Sequence, residues 1–138
     1  MAQSSFDYDY VIIGSGFGGS VSALRLSEKG YSVAVMEMGK RWEAKDFPKT
    51  NWNTPKWIWR PAINFFGFFN LRIFRHVAII CGNAVGGGSI TYANTLLVPP
   101  SSVWSEGSWG KIPYLKEDMP QYFAEAERML GVTDNKIF

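Results

Sequence analysis

Two glycine-rich stretches contain the residues whose types and spacing are best suited to binding chemistry. The first, residues 14–19, reads GSGFGG and satisfies the pattern G-x-G-x-x-G. Such a turn lets the backbone approach a pyrophosphate, and the N-terminus of a following helix offers N–H groups and a favourable dipole to the anion. The second stretch, residues 82–89, reads GNAVGGGS. Since one loop is enough to seat a pyrophosphate, the second needs a separate explanation.

The elements around the first loop are those of a dinucleotide-binding unit. The pattern predicts a buried strand, a helix and a second strand in succession, at residues 9–13 (DYVII), 18–29 and 32–37 (SVAVME). Gly14 would permit the tight turn, Gly16 the close approach to the pyrophosphate, and Gly19 the packing of helix against strand. The sequence therefore predicts a parallel α/β unit. The alternative is a glycine-rich turn that serves packing only.

Glu37 closes the otherwise apolar second strand, at the spacing typical of an acid that accepts hydrogen bonds from ribose hydroxyls. A carboxylate at this point would repel a 2′-phosphate, which disfavours NADP. The strand, helix and acid together make the dinucleotide interpretation much stronger than the glycine pattern alone.

The second loop follows residues 76–81 (HVAIIC), which predict another strand. Consecutive glycines leave the backbone open to a flat ring or a phosphate, and they permit the positive φ angles of an anion-binding nest. We therefore expect the second loop to hold the far end of a long cofactor. A glycine-rich hairpin within the sheet is the alternative.

Residues 82–94 (GNAVGGGSITYAN) resemble the second flavin-contacting segment of the glucose–methanol–choline (GMC) oxidoreductases, and VGGGS is closest to their cholesterol-oxidase-like branch. Residues 37–42 (EMGKRW) and 122–132 (YFAEAERMLGV) are similar to the same branch. The first loop resembles the start of flavoproteins with the glutathione-reductase type of fold. One departure is Tyr92-Ala93, where cholesterol oxidases typically have Asn-Gly.

The resemblance implies FAD as cofactor and an α/β fold class: the N-terminal part of a Rossmann-like FAD-binding domain, with a parallel sheet, helices and an aromatic-rich insertion. The reaction implied is hydride transfer to FAD from the CH–OH group of an apolar alcohol, with a sterol among the candidates. The cofactor-binding residues expected from the two loops are Gly14, Ser15, Gly16, Phe17, Gly18, Gly19, Glu37, Gly86, Gly87, Gly88, Ser89, Tyr92 and Asn94.

An aromatic-rich insertion, residues 41–75, lies between the two loops. Its rings alternate with lysines and arginines, and its prolines break any long helix, leaving room for one helical turn at residues 62–69. The resemblance favours a lid over an apolar substrate. Peripheral contact with a membrane is a second interpretation, because Trp and cations are favourable at a bilayer interface. Packing of the rings against a part of the protein outside residues 1–138 is the third.

Composition excludes several function classes. A net charge of +2 over 138 residues, without a basic block, disfavours a nucleic-acid partner. His76 and Cys81 are single residues of their type, so no metal site is expected, and Cys81 is predicted to be an inert buried thiol. No signal peptide or membrane-spanning run is recognisable, which favours the cytoplasm.

No residue of the chain is a candidate for catalytic acid–base chemistry. By the resemblance, that chemistry belongs to a C-terminal segment, and we expect residues 1–138 to be the N-terminal part of an FAD-binding domain without the substrate domain. A fragment of an NAD-dependent dehydrogenase and a non-catalytic dinucleotide-binding module are the alternatives. A helix is also predicted at residues 118–130, with Asp118 as its N-cap.

Overall fold

The computed structural model describes residues 6–134, which form two compact units that divide between Ala93 and Asn94. The first unit begins with strand β1 (Tyr10–Ile13), helix α1 (Phe17–Glu28) and strand β2 (Val33–Met36). The two strands pair in parallel, with Tyr10 opposite Val33 and Ile13 opposite Met36. The predicted parallel α/β unit is therefore confirmed, and the chain has an α/β fold.

Gly19 allows α1 to cross closely over the first strand. A Cβ atom at this position would overlap the carbonyl oxygen of Gly14 and lie 3.3 Å from Cγ2 of Ile12. Because no other residue type fits there, the packing role predicted for Gly19 is confirmed. Gly30, with φ of +89°, then reverses the chain into β2 after its N–H donates to the carbonyl of Ser27.

The rest of the first unit is made of short antiparallel pairs. A one-turn helix α2 (Thr54–Trp57) precedes the pair β3 (Trp59–Arg60) and β4 (Phe65–Phe66), and β5 (Phe69–Ile73) pairs with β6 (Ala78–Gly82). The strand predicted at residues 76–81 thus exists, but it belongs to a hairpin and not to the parallel sheet. The helical turn predicted at residues 62–69 is wrong. A 3₁₀ turn, Pro61–Ile63, ends at Asn64, whose left-handed φ of 59° redirects the chain into β4.

Aromatic rings of the insertion form the core of this unit. Trp42, Phe68 and Ala84 are buried, and Phe47, Trp57, Phe69 and Ile90 pack against them. The ring centroid of Phe68 lies 5.1 Å from Trp42, 5.2 Å from Phe47 and 5.1 Å from Trp57. These rings therefore pack within the chain itself, which none of the three interpretations of the insertion predicted.

The second unit contains 3₁₀ turns at Ser101–Ser105 and Trp109–Lys111, followed by helix α3 (Leu115–Leu130). The prediction of Asp118 as N-cap is wrong, because Tyr114, with a left-handed φ of 61°, precedes the first helical residue. Asp118 lies within the first turn, where its charge complements the helix dipole. No helix within residues 6–134 is long and apolar enough to cross a membrane.

We predict that Phe68→Ala lowers the free energy of unfolding by about 3–5 kcal/mol, because Phe68 is 4% exposed and its loss leaves a cavity between three rings. Phe66→Ala is the matched control. Phe66 is 48% exposed, so its loss is expected to cost less than about 1 kcal/mol. Urea unfolding of both variants measures the difference, and equal losses would contradict the assignment of this core.

Candidate dinucleotide-binding site

The first glycine loop presents open backbone at the start of α1. Gly14 has φ of +90°, and its N–H donates to the carbonyl of Met36 at 2.7 Å, which fixes the loop to the end of β2. Gly16 is the N-cap of α1. A Cβ atom at Gly14, Gly16 or Gly18 would meet no other atom within 4 Å. This open space adjoins the N–H groups of the first helical turn, so the loop fits a phosphate group.

The carboxylate of Glu37 lies against this loop. Its Oε2 accepts hydrogen bonds from the Ser15 N–H at 2.9 Å and from the Ser15 hydroxyl at 2.8 Å, and its Oε1 accepts from the Gly39 N–H at 2.9 Å. Partial burial by itself raises the pKa of Glu37, but the hydrogen bonds from Gly39, Ser15 and Met38 outweigh it, and the net pKa is lowered. The ionised form is therefore the one that the loop stabilises.

This geometry gives Glu37 a structural role that sequence reasoning missed. Each carboxylate oxygen of Glu37 accepts a backbone N–H, one from Ser15 and one from Gly39. A glutamine at this position would place its NH₂ group, which is a donor, against one of these two N–H donors. An acid at the end of β2 is thus explained by the loop itself. The contact with ribose hydroxyls stays a prediction, with the carboxylate already oriented beside the open loop.

The second glycine loop packs directly on the first. Gly86 and Gly87 have left-handed φ angles of +99° and +54°. A Cβ atom at Gly87 would lie 2.9 Å from the Cα of Gly16, and one at Gly88 would lie 3.2 Å from Cε2 of Phe17. Glycine is therefore required at Gly87 for contact between the two loops, while a side chain at Gly88 would press on the Phe17 ring. The sequence suggested open backbone facing a cofactor, and that contact of residues 86–88 stays a prediction.

The remaining predicted site residues lie on or after the second loop. The Ser89 hydroxyl donates to the carbonyl of Gly86 at 2.7 Å and so stabilises its own turn. The Tyr92 ring meets Phe17 edge to face, with centroids 5.7 Å apart. Asn94 is the first residue of the second unit and has a left-handed φ of 54°. The flavin contacts predicted for these three residues stay predictions.

The segment after β2 holds the second loop in place, a contact that sequence reasoning missed. Gly39 lies against Ala84 so closely that a Cβ atom would overlap its backbone, and the Val85 N–H donates to the carbonyl of Lys40 at 3.1 Å. The Lys40 ammonium lies 3.9 Å from the centre of the Trp42 ring, a cation–π contact. A lysine followed two residues later by a tryptophan was the available signal.

Cys81 lies on strand β6, directly before the second glycine loop. Cys81 is exposed, which corrects the prediction of a buried thiol, because strand β6 has that face open. Within residues 6–134, no three His, Cys, Asp or Glu side chains are grouped so as to hold a metal ion.

We predict that Glu37→Gln lowers the free energy of unfolding by about 1–3 kcal/mol at neutral pH, through lost hydrogen bonds to a charged group. Because folding lowers the pKa of Glu37, its stabilisation is present above the ordinary carboxyl range and is lost as the pH falls through the lowered pKa. The difference between wild type and variant should therefore shrink in acid. Urea unfolding between pH 7 and pH 3 measures it.

Glu28→Gln is the control for this prediction. Glu28 forms an exposed ion pair with Arg25 on α1, and its loss is expected to cost less than about 1 kcal/mol. A Glu37→Gln effect that stays constant with pH would contradict the role of the ionised carboxylate.

Comparison with known proteins supports the nucleotide-binding geometry. Residues 12–45, which span the first loop and Glu37, match the NAD(P)-binding Rossmann-like domain family. The whole chain is 72% identical to a quarter (25%) of a cholesterol oxidase of Acinetobacter baumannii. Over 96% of the chain it is 46% identical to 23% of a cholesterol oxidase of Mycobacterium tuberculosis. A long-chain-alcohol oxidase of Arabidopsis thaliana is 29% identical over 91% of the chain and 16% of its own length.

Uncharacterised GMC-type oxidoreductases of Mycobacterium tuberculosis also match, at 29% identity over 69% of the chain and 15% of their own length. The chain thus spans about a quarter of the length of the cholesterol oxidases it matches. The chain is therefore similar over its whole length to part of a cholesterol oxidase, and over 69% of its length to part of GMC-type oxidoreductases.

Proposed function

We propose that the two glycine loops bind FAD. The observation that carries this proposal is the open backbone at Gly14, Gly16 and Gly18, which lies at the N-terminus of α1 beside the oriented carboxylate of Glu37. Residues 14–19 would hold the pyrophosphate and Glu37 the ribose hydroxyls, while residues 86–89 with Tyr92 and Asn94 would face the flavin end. In this proposal residues 1–138 belong to an FAD-binding domain, with residues 41–75 as its insertion.

A second loop packed over the first favours FAD over NAD. The N–H of Gly86 bonds to the first loop, and Gly87 lies against Gly16, so the two loops form one continuous surface. The isoalloxazine ring system of FAD is larger than the nicotinamide ring of NAD, and the second loop adds surface for it to contact. An NAD-dependent dehydrogenase remains the second candidate, supported by the match of residues 12–45 to an NAD(P)-binding family.

The proposed reaction is oxidation of the CH–OH group of an apolar alcohol, with a sterol as the leading substrate. Support comes from the names of the relatives, which include cholesterol oxidases and a long-chain-alcohol oxidase. FAD, when bound, supplies the hydride acceptor. The residues of this chain bind and orient it, and the base that takes the hydroxyl proton is assigned to the parts of the relatives that this chain does not match.

We predict that the purified chain binds FAD and that Gly16→Val abolishes this binding without loss of stability. The valine side chain would occupy the open space proposed for the pyrophosphate. Gly16 has φ of −68°, which any residue adopts, so the apo variant should melt within a few degrees of wild type. Flavin absorbance after gel filtration and titration with FAD and with NAD measure the binding. Tighter binding of NAD than of FAD would favour the dehydrogenase alternative.

We further propose peripheral contact with an anionic membrane, through the turn between β5 and β6, which we call the hairpin tip (residues 72–77). Ile73 is 75% exposed and Phe74 is 55% exposed, and the exposed cations Arg72 and Arg75 lie beside them. Apolar side chains flanked by arginines are suited to an interface with negative lipid head groups. The cytoplasm is the proposed compartment, supported by the single cysteine.

For the membrane proposal, we predict that the chain sediments with phosphatidylcholine vesicles that contain phosphatidylserine and less with vesicles that lack it. The double variant Ile73→Ser/Phe74→Ser should bind several-fold more weakly, because it removes the apolar part of the hairpin tip. Phe6→Ser is the matched control, since Phe6 is equally apolar and exposed but lies outside the tip. Equal sedimentation of the double variant and wild type would overturn the proposal.

A further inference from the structure

Ser15 is the residue that joins the two glycine loops through a side chain. It is only 8% exposed, and its hydroxyl oxygen lies between the carboxylate of Glu37 and the backbone of Gly86. The hydroxyl donates to Oε2 of Glu37 at 2.8 Å and accepts the Gly86 N–H at 3.0 Å. A continuous chain of hydrogen bonds therefore runs from Glu37 through Ser15 to the second loop.

The order of donors and acceptors in this chain is fixed by chemistry. A serine hydroxyl has one proton and two lone pairs, whereas an ionised carboxylate can only accept. Glu37 therefore accepts a hydrogen bond from the Ser15 hydroxyl. A lone pair of the Ser15 oxygen is left to accept the hydrogen bond from the Gly86 N–H. The lowered pKa of Glu37 is consistent with a carboxylate that stays ionised in this position.

The backbone around Ser15 is also held, so the hydroxyl has little freedom to move. Its N–H donates to the same Glu37 oxygen at 2.9 Å, and its carbonyl accepts the Ser20 hydroxyl at 2.7 Å. Gly86 adopts a φ of +99°, which turns its N–H towards Ser15 and is available at little cost to glycine alone. Both partners are thus shaped for this contact.

We propose that Ser15 is a positioning residue that latches the second glycine loop onto the first, with Glu37 as the group that orients its hydroxyl. Resting on the proposed function, this latch makes Glu37 act on both ends of the cofactor: on the adenosine ribose directly, and on the flavin end through Ser15 and Gly86. Loss of the latch should therefore weaken binding of the whole dinucleotide more than binding of its adenosine half.

The latch is tested first in the protein without cofactor, by hydrogen–deuterium exchange of the peptide covering residues 82–90. Ser15→Ala should speed exchange of this peptide by about fivefold, the change in opening equilibrium expected from one hydrogen bond. Glu37→Ala should have a similar effect, because it removes the oxygen that accepts the hydrogen bond from the Ser15 hydroxyl. Ser20→Ala is the matched control. It removes a hydroxyl from the first turn of α1 but keeps the contact between Ser15 and Gly86, so exchange should stay within about twofold of wild type.

Unchanged exchange in Ser15→Ala would overturn the latch. So would equal acceleration in Ser20→Ala, which would mean that any disturbance of the first loop releases the second. This readout does not depend on FAD, so the latch stands or falls separately from the proposed function.

The second measurement compares the affinity for FAD with the affinity for ADP. ADP is the probe for the first loop and Glu37 alone, because it lacks the flavin end. Ser15→Ala should weaken FAD binding about fivefold and change ADP binding by less than about twofold. An equal loss for both ligands would mean that Ser15 acts only through Glu37, and it would overturn the coupling of the latch to the flavin end. If wild type binds ADP but not FAD, the proposed cofactor is wrong, and the exchange data still decide on the latch.

Discussion

The contact between the two glycine loops is the constraint on which the rest of the first unit depends. Gly87 can lie against the backbone of Gly16 because Gly87 has no side chain, and Gly88 lies close to the edge of the Phe17 ring. This contact joins the β1–α1–β2 unit to the hairpin of β5 and β6, two substructures that share no strand pairing. A few glycines and one serine therefore connect most of the candidate site.

A small aromatic core packs against the second loop. Phe68 packs on Trp42 and Trp57, and Ala84, a residue of the second loop, completes the buried cluster. Because aromatic rings bury a large area each, a few of them can hold an irregular segment with little regular secondary structure. Because Ala84 is buried among these rings, the core holds the second loop in contact with the first.

The first half of the site could be predicted from the sequence, because its signals are local. The β1 strand, the turn at Gly14, helix α1 and the acid after β2 follow one another directly along the chain. Other features depend on contacts between distant residues. The periodicity of β6 does not show whether it pairs antiparallel with β5 or joins the parallel sheet. The contact of Gly87 with Gly16 joins positions that are far apart in the sequence. The left-handed φ of Tyr114, which starts α3 earlier than expected, is unusual for a bulky residue and leaves no pattern to recognise.

Gly39 contacts Ala84, and Lys40 contacts Val85, through their backbones. The segment between Lys40 and Ala84 is therefore a closed loop whose two ends meet at these contacts. The entropy of closing such a loop changes only slowly with its length. Exposed parts of this segment outside the aromatic core can therefore be lengthened, shortened or exchanged at small thermodynamic cost while both glycine loops keep their positions. The fold thus separates the two contacting glycine loops, whose backbones are held against each other, from exposed turns whose length and sequence can vary.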